Sequence, residues 1–305
     1  MRTFLAGFAL AVAASSTSAQ VLPWPAPGSP PLPPDYTVPY LPGINPHCVD
    51  GRFECWTQLE HELIRRTKAV GCHHGAIFSD AYVTITQSLK AATIDGVWQR
   101  PDRIAHVARN YAQEYFDNRD RWYAGQRDTV APSWQVAFAA ADAQEVTALG
   151  NAMLDLNAHI RRDNPIRAVE QTEGALRIAG AMPEATGRRD HDTISAVLQD
   201  TLEPMLDHLA AYYDPTIDDG ADAFDMVIDQ KALYAIIASW REESWRNAEE
   251  LRHARARGGV SGPLYQAKLA QIEEDARLGG LAIRAAFLTT PEANAARNAY
   301  CASHQ

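Results

Sequence analysis

Residues 146–163 read VTALGNAMLDLNAHIRRD, and the spacing inside this stretch decides the fold. Val146, Leu149, Met153, Leu156 and Ile160 recur every three or four positions, the repeat of a helix with one buried face. The pattern predicts a helix from about Asp142 to Asp163. Taking about 100° per residue and Met153 as zero, the apolar stripe spans about −60° to +20°. Asp163 then falls near about −80° and His159 near about −120° on one border, with Asn157 near about +40° on the other. Asp155 and Arg162 are expected to point away from the core. A helix with Asn157 and Asp163 on the shoulders of its apolar face needs polar partners from neighbouring helices, because a buried polar group without a hydrogen bond is costly.

Outward from this segment the same rhythm continues in both directions. Upstream, Leu59, Leu63 and Val70 mark a first helix, and Ile77, Phe78, Tyr82, Ile85 and Leu89 a second. Pro101 opens a third, with Ile104, Val107, Tyr111 and Tyr115 on one face. Pro132 introduces Trp134, Val136 and Phe138. Downstream, Pro165 is expected to stop or bend the helix, an apolar segment follows over about Val169–Ile178, and Asp190–Tyr213 reads as helical with a break or kink at Pro204. Asp214–Gly220 reads as a polar loop, Asp222 to about Arg257 as a long helix, and Leu264–Leu288 as the last one, with Gly279-Gly280 either admitting a close neighbour or interrupting it. No alternating run argues for a sheet. The expected fold is all-α, one domain of about seven to nine helices over residues 47–305.

The chain opens with Arg2, an apolar run from Phe4 to Ala14, and small residues at Thr17 and Ala19 in the −3 and −1 positions of a signal-peptidase site. Residues 1–19 are therefore expected to be a signal peptide, and the protein to be secreted or held in the periplasm or cell envelope. Residues 20–46 hold ten of the eighteen prolines and form an extended leader. No later run is long and apolar enough to cross a bilayer. Four cysteines in an exported chain argue for two disulfides, with Cys48–Cys55 and Cys72–Cys301 the favoured pairing. The net charge of −10 opposes binding to nucleic acid, which rests on neutralising phosphates.

Chemistry could gather at two places. His159 and Asp163 stand four apart, on one helix face. In Asp190-His-Asp-Thr193, His191 shares a face with Leu198 and Leu202, and one of the flanking aspartates is expected to cap that helix. If the two helices pack side by side, His159, Asp163 and His191 could hold a divalent metal such as zinc, with Asn157, Asp190 and Asp192 around it. Without metal, His159 oriented by Asp163 could act as a general base. The alternative is a buried polar network that fixes helix register. Glu250-Leu-Arg-His253 has the spacing of a di-iron helix but no second copy, so it reads as a solvated face. His73-His74 reads as a loop beside a disulfide. No nucleophile elbow, phosphate loop or dinucleotide fingerprint is present.

With those residues in view, the chain resembles the bacterial family known as domain of unknown function 5995. The resemblance is carried by AIFSDAY at 76–82 with Thr84 and Thr86, PSWQVAF at 132–138, NAHIRRD at 157–163, the Asp190-His-Asp192 cluster and WRNA at 245–248. Where the family commonly carries leucine after the position of Asp163, this chain has Asn164-Pro165. The resemblance implies an all-helical fold with a shared polar centre and implies no activity. Three functions fit the residues: a metal-assisted hydrolase of an extracellular ester or phosphoester centred on His159, Asp163 and His191; a non-catalytic envelope or interaction protein; and a carrier enclosing an apolar small molecule among the tryptophans and tyrosines.

Overall fold

Four helices begin with proline, whose fixed φ suits a first turn and whose missing N–H is not needed there. The computed structural model describes residues 53–173, 184–217 and 230–304. The signal peptide, the proline-rich leader, Cys48, the end of the apolar segment after Pro165 and the start of the helix expected from Asp222 lie outside the described residues. Among the described residues nine α-helices follow one another: α1 (Phe53–Val70), α2 (Ala76–Ile94), α3 (Pro101–Tyr123), α4 (Pro132–Ala143), α5 (Ala148–Asn157), α6 (Glu184–Tyr212), α7 (Gln230–Gly258), α8 (Pro263–Ala286) and α9 (Pro291–His304). Among the described residues the only β-type pairing is an isolated antiparallel bridge between Val146 and Leu288. None of these helices is long and apolar enough to cross a membrane.

The helix expected from Asp142 is two helices. Gln144 adopts a left-handed conformation with φ 52°, which ends α4. Glu145 and Thr147 then exchange backbone hydrogen bonds with Thr289 and Phe287 beside the bridge. Thr147 caps α5, its hydroxyl accepting the Gly150 N–H at 3.0 Å. Nor does Pro165 stop the chain. From Ala158 to Glu173 the helix continues with the wider π-type turn. Proline lacks the N–H and presses on the carbonyl four residues back; widening the turn relieves that clash and lets the helix run on. Pro204 likewise sits inside an unbroken α6. Gly279-Gly280 does not interrupt α8: a Cβ on Gly279 would fall 2.7 Å from Asn157 Oδ1, so the glycine admits a close neighbour. A further helix, α9, follows the one expected to be last, and it carries Cys301, which is bonded to Cys72 across a Cα–Cα distance of 5.8 Å.

Packing places α5 and its π extension at the centre, against α2, α3, α4, α7 and α8. This overturns the expectation that Asp155 and Arg162 face away: Asp155 is buried and the Arg162 side chain is 13% exposed. A stripe calculation assumes one wet face, and a helix wrapped on every side has none. Phe78, Tyr115, Phe116 and Trp134, on the helices packed against it, are fully buried or nearly so.

Candidate functional site

The π extension begins one residue before His159, so the wide turn and the candidate site coincide. Asp163 is fully buried. Its Oδ2 accepts Trp134 Nε1–H at 2.9 Å and faces His159 Nδ1 at 3.1 Å, and its Oδ1 accepts Arg162 Nη1–H at 2.7 Å. A carboxylate beside Nδ1 places the imidazole proton there and leaves Nε2 as a bare acceptor. Burial pulls the pKa of His159 below its ordinary value, with the bond to Asp163 and its charge opposing, so the ring is neutral at pH 7. Tyr111 fixes the ring's plane. The two rings stack at 3.5 Å, 4° from parallel, and Tyr111 Oη donates to the His159 carbonyl at 2.7 Å.

His159 Nε2 is buried and has no hydrogen-bond partner among the described residues. The same holds for Tyr82 Oη and Thr86 Oγ1, one turn apart on α2, and the Tyr82 and His159 rings meet edge to face at 5.0 Å. All three residues line a cavity of about 90 Å³ between α2, α3, α5 with its extension, α6 and α7. Its walls are mainly apolar, with Ile85, Val107, Leu156, Leu198, Met205 and Ile237 among them. Such a volume exceeds the roughly 10–15 Å³ that one water needs.

His191 lines the same cavity from α6, which is not among the helices packed against α5 and its extension, and its ring has its own partner. Its Nε2 donates to the Arg241 carbonyl at 3.3 Å, and its Nδ1 lies 3.3 Å from Arg241 Nη2. Burial first, and then the Arg241 charge, hold its pKa well below the ordinary value. The structure therefore joins His159 to Asp163 and does not bring His191 to that pair. Among the described residues no group of three or more His, Cys, Asp or Glu side chains is placed to hold a metal ion.

The outer residues of the expected constellation have other duties. Asp190 does not cap its own helix; it accepts the N–H groups of Gln99 and Arg100 at 2.8 and 3.2 Å, where α3 begins, and Arg103 Nη1 lies 3.4 Å away. Asp192 is on the surface, paired with Arg188 at 2.9 Å. Asn157 donates to the Ala276 carbonyl at 2.7 Å and so ties α5 to α8. Glu250 pairs with Lys268 and His253 is exposed, in line with a solvated face. His73 and His74 sit in the turn after Cys72.

Sequence reasoning did not single out Tyr111, Trp134 or Arg241 as site residues. Arg241 carried a signal: it stands four residues after Ile237 and seven before Ala248, a charge inside the stripe that faces inward. Tyr111 and Trp134 carried none, since an aromatic on an apolar face reads as core.

A family model described as "Family of unknown function (DUF5995)" matches residues 57–285. No curated protein and no solved structure matches the chain.

Proposed function

We propose, for a chain that belongs to DUF5995 and takes no activity from that family's description, that the helical domain encloses a small, largely apolar molecule in the cavity beside His159. One observation carries the reading: three buried polar atoms, His159 Nε2, Tyr82 Oη and Thr86 Oγ1, belong to residues that line one cavity and have no partner among the described residues. An unmet buried polar group costs about 1–3 kcal/mol. A ligand offering a hydroxyl or amide to the bare Nε2, and an acceptor to Tyr82 or Thr86, removes that cost, while the apolar wall takes the rest of the molecule. The Cys72–Cys301 disulfide is compatible with an oxidising compartment outside the cytoplasm, where such a carrier would meet its ligand.

The test is thermal melting of the purified full chain with hexanol and phenylethanol, beside mass spectrometry of its organic extract. Alcohols should raise the melting temperature, and Thr86→Val, which removes only the hydroxyl, should weaken binding by about 2- to 10-fold. No stabilisation by either alcohol and no co-purifying molecule would reject the reading.

A second reading is favoured by the Asp163–His159 bond itself, which has the form of an oriented general base on a residue that lines the cavity. On that reading a bound ester is hydrolysed by water that His159 deprotonates. Hydrolysis of a nitrophenyl hexanoate ester that persists unchanged in Asp163→Asn would dismiss it.

A further inference from the structure

Two charged residues line the cavity, Arg103 and Arg241, and no aspartate or glutamate does. Arg103 is balanced, its Nη1 lying 3.4 Å from the buried Asp190 carboxylate. Arg241 is not. Its Nε donates to Ser195 Oγ at 2.8 Å and its Nη2 to the His191 carbonyl at 2.9 Å, both neutral acceptors. Nη1 has no partner among the described residues, and no carboxylate there forms an ion pair with Arg241. The groups that act on it electrostatically are Tyr111, whose hydroxyl burial keeps neutral at pH 7, Tyr234, Arg188, which repels it, and Asp192, which is 54% exposed and committed to Arg188. His191, the nearest titratable ring, is neutral. Burial consequently pulls the Arg241 guanidinium down to about 10.

A cation taken out of water without a counter-ion is strongly unfavourable, and buried charges are met by a partner of opposite sign. Here the place for that partner is the cavity. We infer that the molecule held there is a monocarboxylate, its carboxylate on the Arg241 guanidinium and its apolar body against the walls shared with Ile237, Val107 and Leu198. One uncompensated positive charge calls for one negative charge; a phosphate dianion would bring a second charge with no cation to meet it. A planar carboxylate also suits the donor edge of guanidinium better than a tetrahedral anion does. The net charge of the whole chain is −10, so the preference for an anion is local to this wall. The inference rests on the ligand-cavity reading and assigns its ligand class.

The experiment measures binding of matched pairs, hexanoate against hexanol and phenylacetate against phenylethanol, to the full disulfide-bonded chain by calorimetry at pH 7. Each acid should bind at least about tenfold more tightly than its alcohol. Arg241→Met should abolish that preference while leaving the alcohols bound, and Arg241→Lys should keep part of it. If the alcohols bind as well as the acids, the carboxylate assignment falls and the cavity reading stands. If neither class binds, both fall. A preference that survives in Arg241→Met also overturns the assignment. The wild-type comparison decides the matter even if a variant fails to fold.

Discussion

Replacing Asp163 by asparagine removes one charge and almost no volume from a fully buried carboxylate. Three donors converge on it: Trp134 Nε1, His159 Nδ1 and Arg162 Nη1. An amide has one acceptor oxygen, and its NH2 must face either Arg162 on one side or Trp134 and His159 on the other, donor against donor. At least one hydrogen bond to a charged group is lost, worth about 1.5–3 kcal/mol. Arg162 does not become an orphan, because Glu114 and Glu273 still flank it. The loss therefore stays below the full penalty of an unpaired buried charge, about 3–5 kcal/mol. The expected cost is about 2–4 kcal/mol, read from urea unfolding followed by circular dichroism, and seen as a fall in melting temperature of about 4–16 °C at about 2–4 °C per kcal/mol. Nitrogen NMR of His159 should show its ring proton leaving Nδ1 for Nε2 in the variant. A loss below about 1 kcal/mol with the tautomer unchanged would mean that the carboxylate does not organise this centre.

Acid should destabilise the protein early. His159 and His191 are held below their ordinary values and His74 is pulled down to about 2, burial being the first cause in each case. Below the ordinary histidine range the unfolded chain binds protons that the folded chain refuses, so stability falls as pH drops from about 6.5, at about 1.4 kcal/mol per pH unit for each ring. His208, raised by its bond to Asp80, acts in the opposite sense only above about 6.5, whereas the carboxyls of Asp155, Glu273 and Asp117, pushed up by burial, oppose the fall at lower pH and reduce its slope. A stability that stays flat between pH 6.5 and 5 in urea titrations would contradict the buried neutral rings. Gly150→Ala places a Cβ 2.6 Å from Phe287 Cβ, so it should cost about 1–3 kcal/mol despite the better helix propensity of alanine, which chemical denaturation will measure. Replacing both Cys72 and Cys301 by alanine opens a loop of 229 residues and should cost up to about 5 kcal/mol; a loss under about 1 kcal/mol would show that the cross-link constrains little.

The helical class was legible because a three–four apolar repeat has one local solution: Met153, Leu156 and Ile160 are buried as their spacing requires. The pairing of His159 with Asp163 was legible for the same reason, since residues four apart on a helix are neighbours whatever surrounds them. Counting cysteines in a chain read as exported gives two disulfides and three possible pairings, and the Cys72–Cys301 link belongs to the favoured one. What lies between helices was not legible. Asp155 and Arg162 were read outward and lie inside because a central helix has no wet face, a fact about its five neighbours that its own residues do not hold. His191 faces the cavity as its stripe implied, yet it bonds to Arg241, fifty residues away. The length of free backbone around Gln144 and the passage through Pro165 depended on bonds to Phe287 and Thr289 and on a widened turn. Sequence by itself determined which side chains share a helix face, since that geometry repeats within a few residues. Tertiary structure alone decided which of those faces enclose the cavity, leaving Arg241 with neutral acceptors and no carboxylate and His159 Nε2 with no hydrogen bond among the described residues, since that depends on helices far apart in the chain meeting at one place.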